Sequence, residues 1–153
     1  MLTDETPAIY LKRRRAAKHY FEQVPESLVE LSLVVTGDNN SRFLRACGLE
    51  EAKACGASAC LLGWLYTWPE YRAWGKLNRR PVYTNALSIC QFLGLPVDGR
   101  LPYEFPFGAR DSPNDSDKIL RRRGDSDKTI ALRRLDWLIE EAEQHCTTQQ
   151  AIP

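Results

Sequence analysis

The fold class this sequence predicts is mainly α-helical: one compact helical domain around a buried central helix, with room for a small β-hairpin. Three observations point there. Apolar residues recur at helical spacing over 7–24, 82–93 and 126–145. The segment 57–68 is apolar on nearly every side, the pattern of a helix enclosed by other elements. Prolines and glycines fall mostly at the ends of these stretches, where helices start and stop.

A chain of 153 residues is long enough to bury a core without staples, so residues 1–153 are read as one domain, ordered over 7–145 with a frayed tail at 146–153. Hydrophobic residues make up 43% and charged residues 27%, a balance that lets burial offset chain entropy. With 21 Lys and Arg against 20 Asp and Glu the net charge is +1, so no global field draws the chain to nucleic acid or to an anionic membrane. The apolar segment 57–68 falls short of the roughly 20 residues a bilayer requires. The N-terminal stretch MLTDETPAIYLKRRR places acids before its basic cluster and has no apolar core, unlike a secretory signal. The expected location is therefore the cytoplasm, with no membrane association. Five cysteines at irregular spacing do not form a disulfide framework.

The first helix, 7–24, follows from Thr6-Pro7, an N-cap before proline at the first helical position. Ile9, Ala16, Tyr20, Phe21 and Val24 form its apolar stripe. Beyond Pro25, alternation of Val29, Leu31, Leu33 and Val35 suggests a strand, with a short helix as the alternative. Thr36 to Asn40 is a turn cluster, and Arg42 to Cys47 reads as a turn or two of helix stopped by Gly48. Pro69 ends the central helix, and Pro69 to Gly75 reads as a short helix closed by its glycine. Tyr83, Ala86, Leu87, Cys90 and Leu93 share one stripe that stops at Gly94. The prolines of Leu101 to Gly108 forbid regular helix there. The repeated Asp-Ser-Asp of 115–117 and 125–127 offers oxygen caps and negative charge to two helix N-termini. The second continues along Ala131, Leu135, Leu138 and Ala142.

The densest chemistry lies in CGASACLLGW, 55–64. A thiol at a helix N-terminus has its thiolate favoured, which makes Cys55 a candidate nucleophile. A Cys/His enzyme also needs a base, and the only histidines, His19 and His145, lie outside any catalytic signature. The preferred reading is a buried cysteine pair. Cys55 and Cys60 have the wrong separation for a zinc knuckle, and the Asp111 to Asp127 acids lack the glycine turn and terminal glutamate of a calcium loop. No metal site and no cofactor are expected. Basic clusters at 12–18, 72–80 and 118–134 offer phosphate contacts, with Tyr71, Trp74 or Tyr83 for base stacking. The near-neutral total argues against a dedicated nucleic-acid binder.

The residues Cys55, Gly56, Cys60, Gly63 and Trp64, with Pro69-Glu-Tyr71, Phe92-Leu-Gly-Leu95, Phe107-Gly108 and the Ala131-Leu-Arg-Arg-Leu135 helix, give the chain a resemblance. It resembles a family of small uncharacterised bacterial and bacteriophage proteins with a CGT-x-x-C-x-x-G-W type motif, by pattern over about 55–143. Ala57 stands where that motif has threonine, which shifts the capping role toward Ser58. The resemblance implies a phage or mobile-element origin and carries over no catalytic residue. Together these readings favour a noncatalytic binding or regulatory protein acting on a host protein. Its anchors would be Trp68, Tyr71, Arg72, Trp74, Arg79, Arg80, Arg121, Arg122 and Arg123, residue types that dominate binding energy at interfaces. The alternatives are nucleic-acid binding through the arginine clusters and a thiol enzyme using Cys55. The oligomeric state is left open.

Overall fold

The computed structural model describes residues 5–31, 35–36, 40–81, 86–95 and 124–150. The aromatic segment 101–108, the first Asp-Ser-Asp repeat, Tyr83 and Arg121 to Arg123 lie outside the described residues. The fold is mainly helical and compact, with a central helix wrapped by others.

Helix α1 spans Pro7–Glu22, and its start follows the expected chemistry: Thr6 Oγ1 accepts from the Ile9 N–H at 3.4 Å and Pro7 opens the first turn. A 3-10 turn at Glu26–Leu28 follows Pro25. Strand β1 is Val35–Thr36, α2 is Asn40–Arg45 and α3 is Leu49–Ala54. Strand β2, Ser58–Ala59, leads into the central helix α4, Leu61–Tyr66, then α5, Pro69–Leu77, and α6, Ala86–Leu93. The last helix, α7, runs over Asp127–Gln150. The small β element is an antiparallel pair, Val35 against Ala59 and Thr36 against Ser58. It is not a hairpin, because α2 and α3 lie between its strands. Val29 bridges Ala59 from the other side, and the Glu30 N–H donates to the Ala59 carbonyl at 3.0 Å.

The central helix is shorter than the 57–68 expected. Residues 57–60 stay extended because the Ala59 backbone bonds across to 29–30 and to β1, so a helical ladder is not formed there. At the other end Pro69 keeps Trp68 extended, at φ −71° and ψ 118°. Every residue from Leu61 to Tyr66 is buried. Trp64 Nε1 donates to the Leu28 carbonyl at 2.9 Å, and Phe43 meets the Trp64 ring edge-on with centroids 4.9 Å apart. Burying one such large side chain contributes about 1.5–3 kcal/mol.

Around α4 the outer helices are set by α1 and α7, which pair extensively. Their contacts run in opposite chain directions, Arg15 to Glu143 at 2.9 Å, Lys18 to Asp136 at 2.6 Å and Lys128 to the Glu22 carbonyl at 2.8 Å, so the helices are antiparallel. α7 starts on the second Asp-Ser-Asp, but the serine is the cap: Ser126 Oγ accepts from the Thr129 N–H at 3.2 Å. Asp125 instead pairs with Arg133, and Asp127 accepts from the Leu31 N–H at 3.0 Å. The helix also continues past 145 to Gln150, where a frayed tail was expected from 146. No breaker interrupts this stretch, and the Thr147 and Thr148 hydroxyls donate back to the carbonyls of Glu143 and Gln144. Among the described residues no helix is long and apolar enough to cross a membrane.

The joint between α1, α6 and α7 is a guanidinium. Arg14 is 2% exposed; its Nε donates to the Leu93 carbonyl at 2.8 Å, Nη2 to that of Gly94 at 3.0 Å and Nη1 to that of Leu138 at 2.6 Å. Glu141 lies 3.5 Å from Nη1. Gly94 is required beside it: φ is +70°, and a Cβ there would sit 2.4 Å from Cγ of Tyr10. A lysine at 14 retains the charge but loses the planar fork that reaches these carbonyls. Arg14→Lys is therefore expected to cost about 2–3 kcal/mol, read as a lowered denaturant midpoint at unchanged slope.

Candidate functional site

The decad 55–64 begins at the end of a helix rather than at the beginning of one. Cys55 is the C-cap of α3, Gly56 follows with φ +69°, 57–60 are extended, and Cys60 precedes α4. The glycine supplies the left-handed turn that ends α3. The placement of Cys55 at a helix N-terminus is thereby corrected, and with it the dipole argument for a nucleophile. Cys55 is 5% exposed and its Sγ donates to the Glu51 carbonyl at 3.4 Å. Cys60 is 4% exposed. Burial pushes its thiol up, and that outweighs the N–H groups of Gly63 and Leu62 and the positive charge of the fully buried Arg134. Burial raises Cys90 to about 11. His19 and His145 are both exposed, on α1 and α7. Among the described residues no set of three or more His, Cys, Asp or Glu side chains is arranged to hold a metal ion.

The aromatic residues expected at an interface are inside. Trp68, Tyr71 and Trp74 surround Phe92, with centroids 5.4, 5.7 and 5.2 Å from its ring. They are buried because α5 turns its 71/74/75 face toward α6. Arg72 is buried too: its Nε donates to the Tyr66 carbonyl and Nη2 to that of Leu44, closing the C-terminal ends of α4 and α2. These four residues therefore do not form an exposed patch. Arg13 lies 4.3 Å over Phe92 and donates to the Phe92 carbonyl at 3.0 Å and to Glu5 at 2.9 Å.

Glu5 gathers the N-terminus onto this cluster, accepting from Arg13 and Trp74 on one oxygen and from Tyr10 at 2.8 Å on the other. Burial works to raise its carboxyl. The hydrogen bonds from Arg13, Tyr10 and Trp74 and the Arg13 charge outweigh that and hold it below the usual range. Between α1, the end of α6 and α7 lies a cavity of about 180 Å³, lined by Pro7, Tyr10, Arg14, Gly94, Ala142 and His145. The Tyr10 hydroxyl and the Arg14 guanidinium are both engaged within the fold, which limits what that cavity offers a ligand.

Of the described anchors named from sequence, Arg79 and Arg80 are the two that are not enclosed, at the end of α5. Arg79 and its neighbours Lys76 and Leu77 are exposed, and Arg80 is half-buried. The helix ends in paired backbone bonds, Arg80 N–H to the Gly75 carbonyl at 2.8 Å and Arg79 N–H to the Lys76 carbonyl at 3.3 Å. Gly75 lies inside α5 and does not close it. Arg79 takes the left-handed position, at φ +54°. Sequence reasoning picked these two arginines by residue type but missed Leu77, which periodicity alone does not place outside. Compared with family models, curated proteins and solved structures, the chain matches none.

Two outcomes check this arrangement. In the native chain a thiol reagent should label Cys47 first and Cys146 more slowly, leaving Cys55, Cys60 and Cys90 unlabelled until denaturant is added. Rapid native labelling of Cys55, read by mass spectrometry, would reverse the assignment. For Glu5, the folded value lies below the unfolded one of ~4.3, so its contribution is full above that value and fades as pH falls through the folded one. Thermal melts of wild type and Glu5→Gln should therefore differ most near neutrality and converge in acid, as pH falls below the lowered folded value.

Proposed function

We propose that this chain is a noncatalytic binding or regulatory protein, of phage or mobile-element origin, that acts in the bacterial cytoplasm on a host protein. The observation that carries the reading is a division of labour among the chemically capable side chains. Cys55, Cys60, Arg14 and Arg72 are enclosed and bonded to the chain itself, while Lys76, Leu77 and Arg79 face solvent at the tip of α5. A thiol enzyme needs a sulfur that substrate can reach and a base beside it. Nucleic-acid binding draws in part on arginines that serve here as internal donors: Arg13 and Arg14 hold backbone carbonyls and Arg133 holds Asp125. The resemblance to small bacterial and phage proteins supports the origin. The test is affinity capture from bacterial lysate with the intact chain as bait. The expected result is one host protein recovered in near-stoichiometric amount across replicates. Repeated captures that return no partner overturn the reading.

A further inference from the structure

We infer that the α5 tip, formed by Lys76, Leu77, Arg79 and Arg80, is a docking surface for an acidic protein segment that also presents an apolar side chain. This rests on the reading of the chain as a binding protein and adds the chemistry of the partner.

Helices α5 and α6 end in the same way and fill that ending differently. In α6 the Leu95 N–H returns to the Cys90 carbonyl at 2.8 Å and the Gly94 N–H to that of Gln91 at 3.2 Å. Glycine occupies the left-handed position and a buried leucine follows it, as such an ending favours. In α5 the equivalent places hold Arg79 and Arg80. A side chain with a Cβ is disfavoured at φ +54°, and asparagine, which tolerates that region better, stands one position earlier as the C-cap. Asn78 is itself tied down, its Nδ2 donating to the Trp74 carbonyl at 2.8 Å. The turn is thus held by several bonds while an exposed arginine occupies a left-handed conformation that disfavours it, the kind of local cost that persists where the side chain is used.

The neighbours state what would use it. Leu77 is 79% exposed, beside the cations of Lys76 and Arg79. Arg13, Arg15 and Arg133 each hold a carboxylate of this chain, whereas Arg79 and Arg80 hold none among the described residues. Cations that hold no carboxylate among the described residues, next in sequence to an outward leucine, complement a segment of negative charge that carries an apolar residue. A phosphate backbone would meet the charge but gain nothing from the leucine.

The experiment uses the full chain and a short fluorescent peptide of alternating Glu and Leu, followed by anisotropy at low salt. An all-Glu peptide and a single-stranded oligonucleotide of equal charge serve as controls. The expected result is saturable, salt-weakened binding of the Glu/Leu peptide, lost by more than about tenfold in the double variant Arg79→Glu/Arg80→Glu. Leu77→Ser should bring the Glu/Leu peptide down to the level of the all-Glu peptide. Arg79→Gly should weaken the peptide while raising Tm by about 2–4 °C, which separates loss of contact from loss of fold. Binding that survives the charge reversal overturns the proposal, as does an oligonucleotide that binds more tightly than the peptide. Concentration-dependent self-association that the double variant abolishes also overturns it, by assigning the surface to a second copy. If the double variant still captures the same host protein from lysate, the binding reading stands and this surface falls; if the peptide binds but lysate yields nothing, the reverse holds.

Discussion

The guanidinium of Arg14 is the joint on which the helical packing turns. It sits on α1, almost out of water, and spends its N–H groups on carbonyls of Leu93 and Gly94 at the end of α6 and of Leu138 within α7. Carbonyls at a helix C-terminus lack intrahelical donors and carry partial negative charge, so a cation there meets both needs at once. Taking such an ion out of water is costly, and only a full set of bonds offsets it. That requirement restricts how the three helices can lie. Gly94 must turn left-handed and stay without a Cβ so that the Tyr10 ring can close over it, and α7 must bring Leu138 and Glu141 level with Arg14.

The same device recurs. Arg72 closes the ends of α4 and α2, and Arg13 bonds the Phe92 carbonyl while lying over the Phe92 ring, around which Trp68, Tyr71 and Trp74 pack. Arginine suits this work because its planar fork reaches several acceptors while its stem stays among apolar groups. Cations spent in this way leave the surface, in contrast to Lys76 and Arg79, which stay exposed at the end of α5. The decad 55–64 also serves the packing of the core. It finishes one helix, lends Ala59 to the strand bridges and opens the buried α4, with its thiols enclosed.

Much of this was legible from residues alone. Thr6-Pro7 marked the start of α1, Gly94 the end of α6, and the 131/135/138/142 stripe the buried face of α7, because capping and periodicity act over a few residues. The helical class followed from the same signals. Other elements escaped. The extended run before α4 depends on partners at 29–30 and 35–36, and α3 had too short an apolar pattern to announce itself. At the candidate site, residue type singled out Arg79 and Arg80, but it equally singled out Trp68, Tyr71, Arg72 and Trp74, which the fold encloses.

What the sequence determined by itself, then, is where helices begin and end and which stripe of each is apolar, since those follow from backbone donors and side chains within a turn or two. What only the tertiary structure decided is the fate of each versatile side chain. An arginine or a tryptophan is equally suited to a core, a helix end or an interface, and which one it serves depends on whether a carbonyl or a ring from a distant segment arrives beside it. For Arg14 and Arg72 such carbonyls do arrive, whereas the cations at the end of α5 keep their charge for solvent or a partner.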